Sequence, residues 1–199
     1  MVENQLFKTK PVSKSTFLKQ FFKEKNMVGA MAPSSRFLAA KMLDHLPIKE
    51  AKIIIELGPG TGVFTEKIIK KMGTDTQLIV IELNDSFFHS LVKKINNKNV
   101  HLKHGSAENI GNYLSELGVD RADLIISSLP LAVIPSPIRQ SVLKAIKKNL
   151  KEEGQFVQFQ YSLQSRSALK QIFSSVKLNF TPFNFPPAFI YTCNNYIQK

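Results

Sequence analysis

Gly58, Gly60 and Gly62 alternate in the stretch Ile53-Ile-Ile-Glu-Leu-Gly-Pro-Gly-Thr-Gly62, and Glu56 stands just ahead of them. Glycines accept backbone angles closed to other residues and let a ligand approach the main chain closely. A carboxylate at Glu56 would repel a pyrophosphate. It suits a ligand that carries positive charge and hydroxyls. The spacing G-x-G-x-G also differs from the G-x-G-x-x-G of the dinucleotide fingerprint. A second acid, Glu82, closes the run Gln77-Leu-Ile-Val-Ile-Glu82 and lies 20 residues after Gly62. At that distance α/β nucleotide folds place the acid that holds ribose hydroxyls.

Such a loop needs a strand to deliver it and a helix to leave it. Ile53, Ile54 and Ile55 are consecutive and β-branched, which suits a strand buried on both faces of a parallel sheet. Val63, Phe64, Lys67, Ile68 and Met72 follow at helical spacing. A helix N-terminus therefore points at whatever sits above the loop. The rest of the chain alternates in the same way. Helices are predicted over 34–46, 85–95, 109–117, 136–150 and 163–173, with strands over 77–82, 99–103, 122–127 and 155–161. Two closing strands, 177–183 and 188–196, have no helix between them and form an antiparallel hairpin. Alternation of this kind means an α/β fold, a mostly parallel sheet with helices on both faces. Ligands of such open sheets bind beyond the C-terminal strand ends.

A chain of 199 residues can bury the core of one domain, read here as residues 34–199. Residues 1–33 read as a separate basic segment. The 27 Lys and Arg outnumber the 15 Asp and Glu, for a net charge of +12. That excess fits a polyanionic partner, nucleic acid or an anionic membrane surface, or a lysine-rich surface that keeps the chain soluble. Lys8, Lys10, Lys14, Lys19, Lys23 and Lys25 crowd the start of the chain with Glu24 the only acid among them. Within this segment Ser15 to Lys25 reads as a short helix. Phe17, Leu18, Phe21 and Phe22 fall on one arc, with Thr16, Lys19, Gln20 and Lys23 opposite. Aromatics facing lysines describe a helix that lies in a membrane interface; the other reading packs the aromatic arc on the protein's own core. Cys193 is the only cysteine, so no intramolecular disulfide and no cysteine metal cluster can form. The four histidines lack metal-ligand spacing, and no metal is expected. No run of about 18 apolar residues occurs. The N-terminus lacks a signal peptide's apolar block, so a cytoplasmic location is expected.

Glu-Leu-Gly-Pro-Gly-Thr-Gly followed by Ile-Glu-Leu resembles the cofactor motifs of class I S-adenosylmethionine-dependent methyltransferases. The resemblance implies a Rossmann-like, seven-stranded sheet ending in a hairpin, and S-adenosylmethionine as methyl donor. Glu56, Gly58, Gly60, Thr61 and Gly62 would lie beside its amino-acid part, Glu82 on the ribose, and Gly105-Ser106-Ala107 beside the adenine. The third motif is often Gly-Asp-Ala in that family. Here Ser106 replaces the Asp, leaving the adenine contact to Glu108 or a backbone amide.

The fourth strand ends in Ile125-Ile-Ser-Ser-Leu-Pro-Leu131. Methyltransferases of base amines often carry Asn-Pro-Pro-Tyr or a variant there. Ser127 and Ser128 stand in place of the Asn and Leu131 in place of the aromatic, which removes the ring that would stack a flipped base. Ser-Ser-Leu-Pro-Leu instead resembles the Ser-Gly-Leu-Pro-Leu motif of bacterial phospholipid N-methyltransferases. So do Val28-Gly-Ala-Met-Ala-Pro-Ser-Ser-Arg36, Phe156-Val-Gln-Phe-Gln-Tyr161 and Asn184-Phe-Pro-Pro-Ala-Phe-Ile-Tyr191. These blocks span nearly the whole chain. The resemblance implies methyl transfer to the amine of phosphatidylethanolamine, then to its methylated forms, towards phosphatidylcholine. It implies a peripheral enzyme on the cytoplasmic membrane, with residues 15–25 as its anchor. Ser128 and the carbonyl of Leu129 would then sit near the amine, Tyr161 and Tyr191 would line the headgroup pocket, and Arg139 would bind the lipid phosphate. Two other readings stay open: an rRNA adenine dimethylase, and a non-catalytic membrane-binding protein that keeps the cofactor fold.

Overall fold

The computed structural model describes residues 33–182 and 186–196. Phe17, Leu18, Lys19, Phe21, Phe22 and Lys23 lie outside the described residues. The described chain runs α1 (Pro33–Leu43), β1 (Ile53–Leu57), α2 (Val63–Lys71), β2 (Gln77–Glu82), α3 (Asp85–Lys94) and β3 (Val100–His104). A single 3-10 turn (Ala107–Asn109) then leads into α4 (Ile110–Ser115) and β4 (Ala122–Ser127). The chain continues through α5 (Ser136–Asn149), β5 (Leu150–Gln160), α6 (Arg166–Ile172), β6 (Ser175–Thr181) and β7 (Ala188–Asn194).

Seven strands form one sheet in the order β3-β2-β1-β4-β5-β7-β6. The first five are parallel. β7 inserts antiparallel between β5 and β6, as the missing helix before it requires. The chain reverses its winding between β1 and β4. That is the switch point where an open α/β sheet leaves a crevice at its C-terminal edge.

All five residues of β1 are buried, and alternate side chains go to opposite layers. Ile55 and Leu57 join Ile79, Ile125 and the apolar face of α5. Ile54 joins Val80, Ile126 and residues of α1 and α2. This double burial explains why the strand reads as a continuous isoleucine run rather than an alternating one.

Several boundaries differ from the sequence expectation, among them a helix that starts at Arg166 rather than 163 and a strand over Ser175–Thr181 rather than 177–183; two others have a plain physical cause. β5 starts at Leu150, not Gln155, because Ala122 pairs with Leu150 before the register shifts between Ala122 and Leu124. Lys151, Glu152 and Glu153 hide this start, since charged residues do not read as strand. Lys151 reaches Asp123 Oδ1 at 2.6 Å and holds the irregular stretch. Gly154 has no room for a side chain: a Cβ there would sit 2.9 Å from the carbonyl oxygen of Asp123. α1 ends at Leu43, not Leu46, a few residues ahead of Pro47, which cannot continue a helix.

Candidate active site

The C-terminal ends of β1, β2 and β4 stop in step. Gly58 N–H donates to the Ile81 carbonyl at 3.0 Å, Gly105 N–H to the Glu82 carbonyl at 2.9 Å, and Ser128 N–H to the Leu57 carbonyl at 2.9 Å. Three loops are thereby anchored side by side around a cleft of about 590 Å³. Its walls carry Gly58, Gly60, Glu82, Ser106, Ala107, Ser128, Leu129 and Tyr161 from the sequence-derived set.

The glycine loop has the left-handed angles its sequence anticipates, with φ of +67° at Gly58, +59° at Gly60 and +86° at Gly62. Each position uses glycine differently. A Cβ on Gly58 would meet Leu129 Cδ2 at 2.9 Å, so Gly58 lets the cofactor loop touch the loop after β4. A Cβ on Gly62 would meet Leu91 Cδ2 at 2.8 Å, which packs the loop against α3. A Cβ on Gly60 would meet nothing within 4 Å. Its backbone faces open cleft, as a cradle for a ligand must.

Glu82 is 5% exposed and lines the cleft. Its two oxygens accept the N–H groups of Gly60 at 3.1 Å and Asn84 at 2.8 Å. Burial raises its pKa, while these backbone donors and His104 oppose the rise. Each oxygen keeps a second lone pair, so the carboxylate can also take hydroxyl donors from the cleft.

Glu56 lies beneath the loop and outside the cleft wall, on the strand face shared with Ile54. It is fully buried, and no donor among the described residues reaches either oxygen in hydrogen-bond geometry. Burial pushes its pKa up to about 8; proximity to Thr65 opposes this in part and the charge of Glu82 adds to it. Thr61 and Gly62 form the turn into α2. The Thr61 carbonyl accepts from Lys94 Nζ at 3.1 Å. At the other end of the cleft Ser106 caps its own turn, its hydroxyl accepting Glu108 N–H at 3.2 Å. Leu83 and Phe87, which the motif reading missed, join it on that wall.

Ser128 Oγ is buried and has no partner among the described residues. The carbonyl of Leu129 is the opposite case. It accepts Gln158 Nε2 at 3.0 Å and Gln160 Nε2 at 2.9 Å, which fills both lone pairs. Gln160 Oε1 in turn accepts Ala132 N–H at 3.2 Å. Arg139 lies off the cleft wall, donating to the Leu131 carbonyl at 3.2 Å. Tyr191 is wholly buried, with its hydroxyl 3.5 Å from the Ser162 carbonyl. Arg139 thus braces the acceptor loop and Tyr191 the turn after β5. Tyr161 is on the wall, edge-on to Phe159 at 5.6 Å. Phe159 stacks on Phe64 at 5.8 Å, so three aromatic rings line one side. Gln158, Gln160, Phe64 and Phe159 were not foreseen. The signal for the two glutamines was their place on the same strand face as Phe156, alternating with Val157 and Phe159 in a strand otherwise built to be buried. Cys193 is buried, with its thiol pushed up to about 12, and takes no part in the cleft.

The arrangement fits S-adenosylmethionine: a bare glycine backbone at Gly60, an acid for ribose hydroxyls at Glu82, and an apolar slot at Leu83, Phe87 and Ala107. Comparison with known proteins agrees. Residues 22–151 match the family described as ribosomal RNA adenine dimethylase. An ornithine lipid N-methyltransferase of Singulisphaera acidiphila is 29% identical over 179 residues, covering 89% of this chain and 93% of that protein. A ribosomal RNA small subunit methyltransferase A of Dehalococcoides mccartyi is 30% identical over 126 residues, but this covers 60% of this chain and only 39% of the relative. Among solved structures, the N-methyltransferase NodS from Bradyrhizobium japonicum, bound to S-adenosylhomocysteine, superposes with a TM-score of 0.68 at 11% identity, over 94% of this chain and all of that one. The family match and the cleft lead to one assignment: the chain belongs to the ribosomal RNA adenine dimethylase family and is an S-adenosylmethionine-dependent N-methyltransferase.

Proposed function

We propose that the protein methylates the amine of a membrane lipid headgroup, with phosphatidylethanolamine and its methylated derivatives as acceptors, working from the cytoplasmic face of the membrane. The observation that carries this reading is the loop after β4. Its fourth residue, Leu131, is wholly buried in the core, so it offers no surface on which a flipped base could stack. The full-length likeness to a lipid N-methyltransferase supports the same reading, whereas the rRNA enzymes match over a minor part of their length.

Bound S-adenosylmethionine supplies a methyl group on a cationic sulfur. The chain's task is to align an acceptor nitrogen behind that methyl, and alignment is where most of the rate can come from. The attacking amine must be neutral, with its lone pair on the methyl. Ser128 Oγ can accept one amine N–H and so aim the lone pair. Transfer gives an alkylammonium, which loses a proton to water before a second round. The methylated products are cations, and the Phe64, Phe159 and Tyr161 rings offer them π faces.

The test uses labelled S-adenosylmethionine with vesicles that contain phosphatidylethanolamine or an ornithine lipid, and separates the lipids afterwards. Label in phosphatidylethanolamine supports the reading. Label in the ornithine lipid alone would replace the headgroup, and label in neither would remove the lipid assignment.

A further inference from the structure

Six large apolar side chains are strongly exposed among the described residues: Phe37, Val92, Val133, Tyr161, Leu163 and Phe180. Four of them lie on, or next in the chain to, residues that line the cleft. Val133 and Tyr161 line the cleft, Phe37 precedes the cleft residue Leu38, and Leu163 stands between the cleft residues Ser162 and Gln164. They come from three separate segments, α1, the loop after β4 and the turn after β5. The fold, rather than one greasy stretch, brings these three segments to the cleft. Phe37 is 68% exposed and Leu163 45%.

The charge of the same segments is one-sided. No Asp or Glu occurs between Glu24 and Asp44, between Asp123 and Glu152, or anywhere after Glu153. Arg36 flanks Phe37, and Arg166 follows Leu163 by three residues; both are exposed. Glu82 on the cleft wall and Glu108 beside Ser106 belong to its cofactor half. The acceptor half therefore has a rim of exposed apolar side chains on segments that carry basic and no acidic residues, with Glu66 of α2, which is ion-paired to Lys94, the acid that interacts with Arg36.

Basic segments complement an anionic bilayer surface, and exposed rings and aliphatic tips enter its interface. We infer that the mouth of the cleft, through Phe37, Val133 and Leu163 with Arg36 and Arg166, docks onto an anionic phospholipid membrane, so that the headgroup enters the site while its acyl chains stay in the bilayer. This rests on the proposed lipid acceptor. It places a membrane contact at the catalytic mouth, separate from the basic N-terminal segment.

The experiment compares the full-length protein with Phe37→Asp/Leu163→Asp, neither of which touches the cleft wall. Methyl transfer is measured on vesicles of equal phosphatidylethanolamine and phosphatidylglycerol, and on dihexanoyl phosphatidylethanolamine kept below its micellar concentration. The expected result is a vesicle rate at least tenfold lower in the variant, with the monomer rate within twofold of wild type. An unchanged vesicle rate overturns the inference. So does an equal fall on both acceptors, the result expected if the rim instead seats residues 1–32 of the same chain. Should the wild type methylate neither lipid, the proposed function fails by itself. Vesicle flotation then decides the rim: a fivefold or greater loss of bound variant upholds it, and equal binding of the two proteins rejects it.

Discussion

Gln160 donates its side-chain amide to the carbonyl of Leu129 at 2.9 Å and accepts the Ala132 N–H with the same side chain. One glutamine thus staples two points of the acceptor loop to β5. With Gln158 on the same carbonyl, Leu129 has no lone pair left for an incoming amine. Ser128 is then the group of the pair that can face the acceptor.

Replacing Gln160 by Leu orphans the Ala132 N–H, leaves the Leu129 carbonyl with Gln158 alone, and loosens residues 128–134. Each lost bond is worth about 1 kcal/mol, and more if the orphaned group stays buried. The expected result is a fall in kcat of about tenfold or more, since alignment is lost. The dissociation constant of S-adenosylhomocysteine should stay within about threefold, because Gly60 and Glu82 are untouched. Gln158→Leu should act more weakly, as it leaves the Ala132 bond in place. Steady-state kinetics and calorimetric titration separate the two effects.

That Gly58, Gly60 and Glu82 would meet at one cleft was legible in the sequence because their placement is local, whereas Glu56, expected beside them, lies beneath the loop. Gly58, Gly60, Gly62 and Glu82 sit at fixed offsets from strand ends, and strand ends follow from apolar runs. The acceptor half was not legible, because its contacts are long-range. Leu129 lies 31 residues before Gln160 in the chain, and only the parallel pairing of β4 with β5 brings them together. Arg139 and Tyr191 show the same limit. Their types suit a phosphate and a headgroup, yet packing turns Arg139 onto the Leu131 carbonyl and buries Tyr191 completely. The order of β7 and β6 likewise came from tertiary pairing, while the presence of an antiparallel pair followed from the missing helix.

Gly60→Ala and Gly58→Ala should separate strain from cofactor fit. Both residues have positive φ, so each alanine costs about 1–2 kcal/mol of stability. At Gly60 the added methyl meets no protein atom but occupies the cradle, so cofactor affinity should fall more than tenfold with a modest drop in Tm. At Gly58 the methyl must also displace Leu129, so the loss of Tm should be larger. Thermal melts with and without S-adenosylhomocysteine read both quantities.

Glu82→Ala removes an acceptor that would otherwise take cofactor hydroxyls, along with the bond to Gly60. Hydrogen bonds to a charged group contribute about 1.5–3 kcal/mol each, so the dissociation constant for S-adenosylhomocysteine should rise about 10- to 100-fold or more. Glu82→Gln keeps the shape and one acceptor oxygen, and should fall between wild type and alanine.

Glu56 gives the protein a pH-dependent stability. Its pKa is raised from 4.5 to about 8 in the fold, so the native state holds this proton more tightly than the unfolded chain does. Stability attributable to this group therefore declines as pH rises from about 4.5 to about 8 and levels off above that. The total cost is on the order of a few kcal/mol. Glu56→Gln, which stays neutral and nearly isosteric, should flatten this slope and be the more stable protein at pH 9. Urea unfolding of both proteins between pH 5 and pH 9 checks this.

The lipid acceptor is tested most directly by competition in one tube. Purified protein, labelled S-adenosylmethionine, phosphatidylethanolamine vesicles and unmethylated 30S subunits are incubated together, and the label is partitioned between organic extract and RNA. The expected result is label in the lipid fraction as monomethyl and dimethyl phosphatidylethanolamine, falling at least tenfold with Ser128→Ala. Label confined to the 16S rRNA would contradict the lipid assignment outright.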